Sequence, residues 1–232
     1  MSHERNIILC QPDATKSCAA CCGVFNLRDI TEDALARYCG DYEVRARRAY
    51  RLAPGCHLEG AADLEKRDIG AHVCPYAGFA HPGRPGCMLH PAVRGREERD
   101  RSLFGAKICA EFLCPAHAIL TDAEKKLLVG ALTHWYPYTV AIVDPESFRW
   151  IIERVAEGYA CSPAEIMSHQ AARGSITAAL RAHADYLNGI DGPIFQYSVA
   201  EYALGRSRFS LAGGADALAR HRARVLDSIA IK

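Results

Sequence analysis

The sequence carries almost no net charge: 28 Lys and Arg stand against 27 Asp and Glu in 232 residues. No overall field therefore draws it to nucleic acid or to an anionic membrane. It has no apolar run near the ~20 residues that cross a bilayer. The opening stretch Met1–Cys10 holds only Ile7-Ile8-Leu9 as an apolar segment, too short for a secretory leader. Bulky Leu9 before Cys10 also argues against lipoprotein processing. A cytosolic location is expected. No GxGxxG follows a strand-like run, and GxxxxGK[ST], HExxH and GxSxG are missing, as is the CxxxCxxC spacing of radical S-adenosylmethionine clusters. These absences argue against the nucleotide-binding, zincin and serine-hydrolase classes that such motifs mark. There is no internal repeat and no low-complexity linker.

Cysteine is what the chain has in excess. Ten of eleven lie in the first half: Cys10, Cys18, Cys21, Cys22, Cys39, Cys56, Cys74, Cys87, Cys109 and Cys114; Cys161 lies beyond. In a reducing compartment, grouped cysteines point to metal or redox chemistry rather than to disulfides, and an odd total fits full pairing poorly. Cys161 and Cys39 read as small buried hydrophobes. Cys10 and Cys56 stay open. The seven clustered ones, Cys18, Cys21, Cys22, Cys74, Cys87, Cys109 and Cys114, read as thiolate ligands for zinc or an iron–sulfur cluster.

Spacing supports this reading. Two residues separate Cys18 from Cys21, so a tight turn brings both sulfurs to one metal. Cys22, adjacent to Cys21, aims elsewhere: at a second iron, a second metal or the core. Cys87 and His90 repeat the two-residue gap, and His90 is an eighth candidate. Four ligands complete one zinc site or one [4Fe–4S] cluster; eight fill two. His117, three after Cys114, stands equally as a metal neighbour or as an ordinary histidine. His57, beside Cys56, and His72, two before Cys74, read as loop histidines ahead of ligands or donors to a ligand, and His134, His169, His183 and His221 as structural or exposed.

The expected fold class is mainly α. An irregular, cysteine-rich metal-binding half (1–118) packs on a C-terminal helical region (119–232), fused into one unit. In the first half, helices are expected from about Thr31 to Tyr38 and through Tyr42–Leu52. Turn residues crowd Pro54–Pro91, a stretch that a crosslinking metal would stabilise. In the second half, Thr121-Asp-Ala-Glu124 is a capping box, followed by Leu128, Leu132 and Trp135 on one face. Asp144-Pro145-Glu146 opens a helix that carries Phe148, Ile151, Ile152 and Val155 and closes at Gly158. Ser162-Pro163-Ala-Glu165 repeats the start signal. Ser175 precedes the stripe Ile176, Ala179, Leu180, His183 and Leu187, which Asn188-Gly189 stops. Ser198–Glu201 is a further capping box, and the last helix carries Leu218, Val225, Leu226 and Ile229.

The run Ser17-Cys-Ala-Ala-Cys-Cys-Gly23, then Cys74, then Arg84-Pro-Gly-Cys87 before His90-Pro91, resembles the zinc- or iron-chelating CxxCxxCC family. The resemblance covers roughly residues 15–117. Thr15 stands where that family has its first cysteine, and the family's Arg-Pro-x-x-Cys is shortened by one residue. Cys10 could substitute for the missing thiolate, and Cys109 with Cys114 could complete the set. Flagellin lysine N-methylases are similar to that family in their cysteine cluster, but no methyl-donor motif is present here. The resemblance implies metal chelation rather than an established reaction.

Two arginine groups, Arg45/Arg47/Arg48/Arg51 and Arg94/Arg96/Arg99/Arg101, read as solvated faces, since Glu97, Glu98 and Asp100 interleave the second. Asp63, Glu65 and Asp68 read as surface charges. Trp135, Tyr136, Tyr138 and Trp150 read as core rather than as a pocket wall. The functional expectation is a cysteine-ligated metal-binding protein, carrying an iron–sulfur cluster or zinc in a binding or redox role. One alternative is an iron–sulfur-dependent oxidoreductase or a lysine N-methylase-like modifying enzyme. The other is a structural zinc interaction module. The expected partners are the metal and either a protein or a small-molecule substrate, with neither membrane nor nucleic acid.

Overall fold

The computed structural model describes residues 7–44, 65–67, 73–102, 104–189 and 214–229, with side chains from residue 220 in the last stretch. Most of the helix expected over Tyr42–Leu52, with Arg45, Arg47, Arg48 and Arg51, lies outside the described residues. So do Cys56, His57, Asp63, Asp68, His72, the Ser198–Glu201 box and the Leu218 side chain.

The chain is mainly helical. Helix α1 spans Glu32–Gly40; Thr31 caps it by accepting from the Ala34 amide, and Leu35, Tyr38 and Cys39 form its buried stripe. A hairpin follows, β1 (Ala77–His81) and β2 (Arg84–Cys87), antiparallel and paired Ala77↔Cys87, Gly78↔Gly86, Phe79↔Pro85 and His81↔Arg84. Gly83, at φ 70°, supplies the left-handed turn. Expectation placed only turns in this stretch. The hairpin persists because Phe79 packs edge-on against Trp135 at 5.9 Å and α1 lies against β1. Gly78 is required there, since a Cβ would fall 2.7 Å from Met88 Cγ and 2.8 Å from Tyr42 Cβ.

Three short helices follow: α2 (Pro91–Arg94), α3 (Gly105–Glu111) and α4 (Pro115–Ile119). Helix α5 (Asp122–Ala131) opens on the expected box, with Thr121 and Glu124 capping each other. Arg149 extends the box, meeting Glu124 at 2.5 Å. The helix stops earlier than the Leu128–Leu132–Trp135 face suggests. Leu132 turns extended, and the His134 ring accepts from the Tyr136 amide to open α6 (Trp135–Val143). All nine residues of α6 are buried. A helix apolar all round shows no periodic stripe in sequence.

Helix α7 (Pro145–Gly158) matches expectation, with Asp144 as cap and Pro145 at the first position. Ser162 and Glu165 do pair, but they open only a 3-10 turn over Glu165–Ser168. Helix α8 (Gln170–Asn188) starts five residues before the expected Ser175, because the His169 ring caps it by accepting from Ala172. Ser175 therefore lies inside α8, bonded to the Tyr159 hydroxyl at 2.9 Å. Helix α9 (Gly214–Ser228) lies along α8, which also packs on α6 and α7. Val225 and Ile229 are buried, whereas Leu226 faces solvent rather than the core.

One apolar cluster runs from Leu9 through Phe25, Leu35, Tyr138, Phe148 and Leu180 to Ile229. The tyrosines at its centre bind the N-terminal segments. Tyr136 donates to the Ile30 carbonyl at 2.9 Å, and Tyr138 to the Leu9 carbonyl at 2.6 Å. Tyr38 donates to the Cys74 carbonyl at 3.0 Å. No described helix is long and apolar enough to cross a membrane.

Candidate metal centre

Cys21 and Cys22 lie in a 3-10 turn, Cys87 ends β2, Cys109 lies in α3 and Cys114 stands at the start of α4; individual hydrogen bonds tie the segments between them. The Cys18 amide donates to the Cys10 carbonyl at 2.9 Å, folding residues 10–18 into a closed loop that Lys16 and Asp13 brace at 2.7 Å. The Ser17 hydroxyl donates to the Pro85 carbonyl, tying that loop to β2. The Cys74 amide donates to the Cys22 carbonyl at 2.7 Å. Gly23, at φ 77°, turns the chain immediately after Cys22.

These ties bring eight cysteines to one cavity of about 210 Å³: Cys10, Cys18, Cys21, Cys22, Cys74, Cys87, Cys109 and Cys114. His90 and Arg99 also line it, and Ile8, Phe104, Phe112, Leu113 and Ile142 form its apolar wall. All seven expected cysteines and His90 thus border the same space. None of the ten described cysteines is in a disulfide. Cys39 is buried in the core, as expected, whereas Cys161 is only half-buried and packs against that core.

Burial keeps most of these thiols protonated. It pushes Cys18 and Cys21 well up, with neighbouring thiols adding to the effect, and pushes Cys114 up to about 12. Backbone amides work the other way. The Ala20 amide donates to the Cys18 sulfur at 3.3 Å. Amides at Ala116 and His117 favour the Cys114 thiolate, and those at Leu89 and His90 favour Cys87. The sulfur is served from two or three residues downstream each time, an arrangement that steadies an anionic ligand. The Cys22 thiol is held up first by its hydrogen bonds with Cys74 and Cys87 and then by burial. Its bond to Cys87, helped by the Arg99 charge, brings Cys87 down to about 7.

Among the described residues, no three His, Cys, Asp or Glu side chains are set as a metal-binding group. Cys109 is turned to Ser102, 3.1 Å away, and its carbonyl accepts from Arg99 at 3.1 Å. The His90 Nδ1 caps α2 by accepting from the Ala92 amide at 3.1 Å. Phe112 both packs against the core and lines the cavity.

Sequence reasoning left Cys10 open; it lines the cavity, with its sulfur 3.9 Å from His117 Nε2. The bond from Tyr138 to the Leu9 carbonyl and the approach of His117 to the Cys10 sulfur set this position, and both join residues far apart in sequence. Arg99, expected on a solvated run, also lines the cavity, and Glu97 pairs with its guanidinium. Arg94 and Arg96 are exposed as a solvated face requires, whereas Arg101 is half-buried against the Tyr76 ring and pairs with the largely buried Glu98. Comparison with family models, curated protein sequences and solved structures gives no match.

Proposed function

We propose that this protein binds a metal through cysteine thiolates, as zinc or an iron–sulfur cluster. The single observation that carries the reading is the convergence of eight cysteines from five separate chain segments on one cavity, with no disulfide among them. The donor set fits the group. Buried thiols are costly to ionise alone, and a bound cation is what makes a coordinating thiol give up its proton. Amides directed at Cys18, Cys87 and Cys114 add the sulfur hydrogen bonding expected around such ligands. The candidate ligands are Cys18, Cys21, Cys22, Cys74, Cys87, Cys109 and Cys114, with Cys10 added and His90 in reserve.

A bound cluster would supply one-electron chemistry, and zinc would supply either crosslinking or Lewis acidity. In this reading the segment before about residue 118 is the metal-binding half, and the helical region presents it to a protein or small-molecule partner. A reducing, cytoplasmic setting keeps the thiols available. An enzyme, either an oxidoreductase or a protein-modifying enzyme, is the second reading. The observation that favours it over a purely structural zinc is the extent of the cavity, which continues past the sulfurs to Ile8, Phe104 and Leu113.

The test is metal content of the full chain carrying Cys74→Ser or Cys87→Ser. Each variant should lose metal relative to the parent while its helical circular dichroism is retained. Unchanged content in both would remove the ligand assignment.

A further inference from the structure

The cysteines do not pack as one group. Cys74 is buried in a small apolar cluster of its own with Tyr76 and Leu89, against which Cys22, Cys87 and Tyr42 pack. Cys114 is buried in the main core, and Cys18 and Cys21 pack against that core instead. Cys22 touches both clusters.

Polar contacts divide along the same line. Cys22 is bonded to Cys74 and Cys87 through their thiols and to Cys74 through the backbone. Cys10 holds Cys18 through its carbonyl and lies 3.9 Å from His117 through its sulfur. The His117 amide in turn donates to the Cys114 carbonyl at 2.9 Å, which closes the link from Cys10 to Cys114. The electrostatic neighbours of Cys18 are Cys114 and Cys10, and those of Cys21 are Cys114, Cys10 and Cys18, with Cys109 the weakest. Cys21 and Cys22 are adjacent, and they fall on opposite sides of this division.

We propose that the cavity holds two separate metal centres. One takes Cys10, Cys18, Cys21 and Cys114, and the other takes Cys22, Cys74 and Cys87 with one position left for a ligand that is not a cysteine of either set. The inference rests on the metal-binding reading and goes beyond it in number and partition. The first set is a full complement of four thiolates, the pattern of a closed, structural site. Amides at Ala20 and at Ala116 and His117 serve two of its sulfurs. The second set is three thiolates beside Arg99 and His90, the pattern of a site that keeps a position for an incoming ligand. Cys109, turned to Ser102, belongs to neither set.

The experiment is zinc or iron content per full-length chain, with X-ray absorption counting sulfur neighbours. The parent should bind about two equivalents of zinc, or two clusters, and each paired variant about one. After Cys74→Ser with Cys87→Ser, the remaining metal should show four sulfur neighbours. After Cys18→Ser with Cys114→Ser, it should show fewer protein sulfurs and one lighter atom. Should the second pair fail to fold by circular dichroism, Cys10→Ser is measured in its place. A parent with one equivalent, or loss of all metal in both paired variants, overturns the partition while leaving metal binding intact. A parent that takes up neither metal overturns the metal-binding reading itself.

Discussion

The Tyr138 hydroxyl donates to the Leu9 carbonyl at 2.6 Å, from the wholly buried helix α6 to the residue before Cys10. Burial and the thiols around it push the Tyr138 phenol upward, so it stays a neutral donor. This one bond anchors the N-terminal arm of the cysteine cavity to the helical core.

Tyr138→Phe keeps the ring and leaves the Leu9 carbonyl without this donor. A loss of about 1–3 kcal/mol in unfolding free energy is expected. Amide exchange at Leu9 and Cys10 should rise more than exchange in α7. Equal protection of both regions in parent and variant would show that the anchor is not what holds Cys10.

Gly78 sits where the hairpin passes Met88 and Tyr42 too closely for any side chain. Gly78→Ala forces the hairpin away from Met88 and Tyr42 and should cost about 1–3 kcal/mol. Because β2 ends in Cys87, the same variant should expose that thiol to alkylation faster than the parent does. A thermal midpoint equal to the parent's would contradict the packing.

The helical half contains a buried chain of three groups. Asp144 Oδ2 lies 3.0 Å from His183 Nε2, and His183 Nδ1 lies 2.7 Å from His221 Nε2. Tyr186 stacks on His221 at 4.0 Å, so this chain fastens α9 to α8 and α7. Burial, with His183, Arg222 and Arg224 around it, lowers His221 to about 3, while Asp144 opposes that shift. The unfolded chain then binds a proton that the folded one refuses. The contribution of His221 is full above an ordinary histidine value near 6.5 and falls away as pH drops toward 3. Asp144, also held below its ordinary value, adds a further loss below about 3.8. Urea midpoints should fall steadily from pH 7 to pH 4, and His221→Gln should flatten that slope. An unaltered slope would remove His221 as its source.

Much of the helical half was legible because its start signals are local. Thr121 with Glu124, Asp144 with Pro145, and Asn188-Gly189 each act within four residues. What sequence could not show depends on distant partners. Helix α6 is buried on every side, so its β-branched and aromatic residues carry no period. His134 and His169 serve as caps, a task their residue type does not announce. The hairpin needs Trp135, more than fifty residues later, to cover Phe79. In the candidate site, the clustered cysteines were legible from spacing alone. The packing of Cys22 on the Cys74 cluster was not legible beyond its adjacency to Cys21, and the place of Cys10 needed Tyr138 and His117.

The most direct test of the account is elemental analysis, with a visible absorption spectrum, of the full chain purified without oxygen. Metal at a stoichiometric level is expected: iron with sulfide and broad thiolate-to-iron absorption, or zinc in a colourless solution. Protein that is folded by circular dichroism, contains neither metal and takes up neither on addition would contradict it.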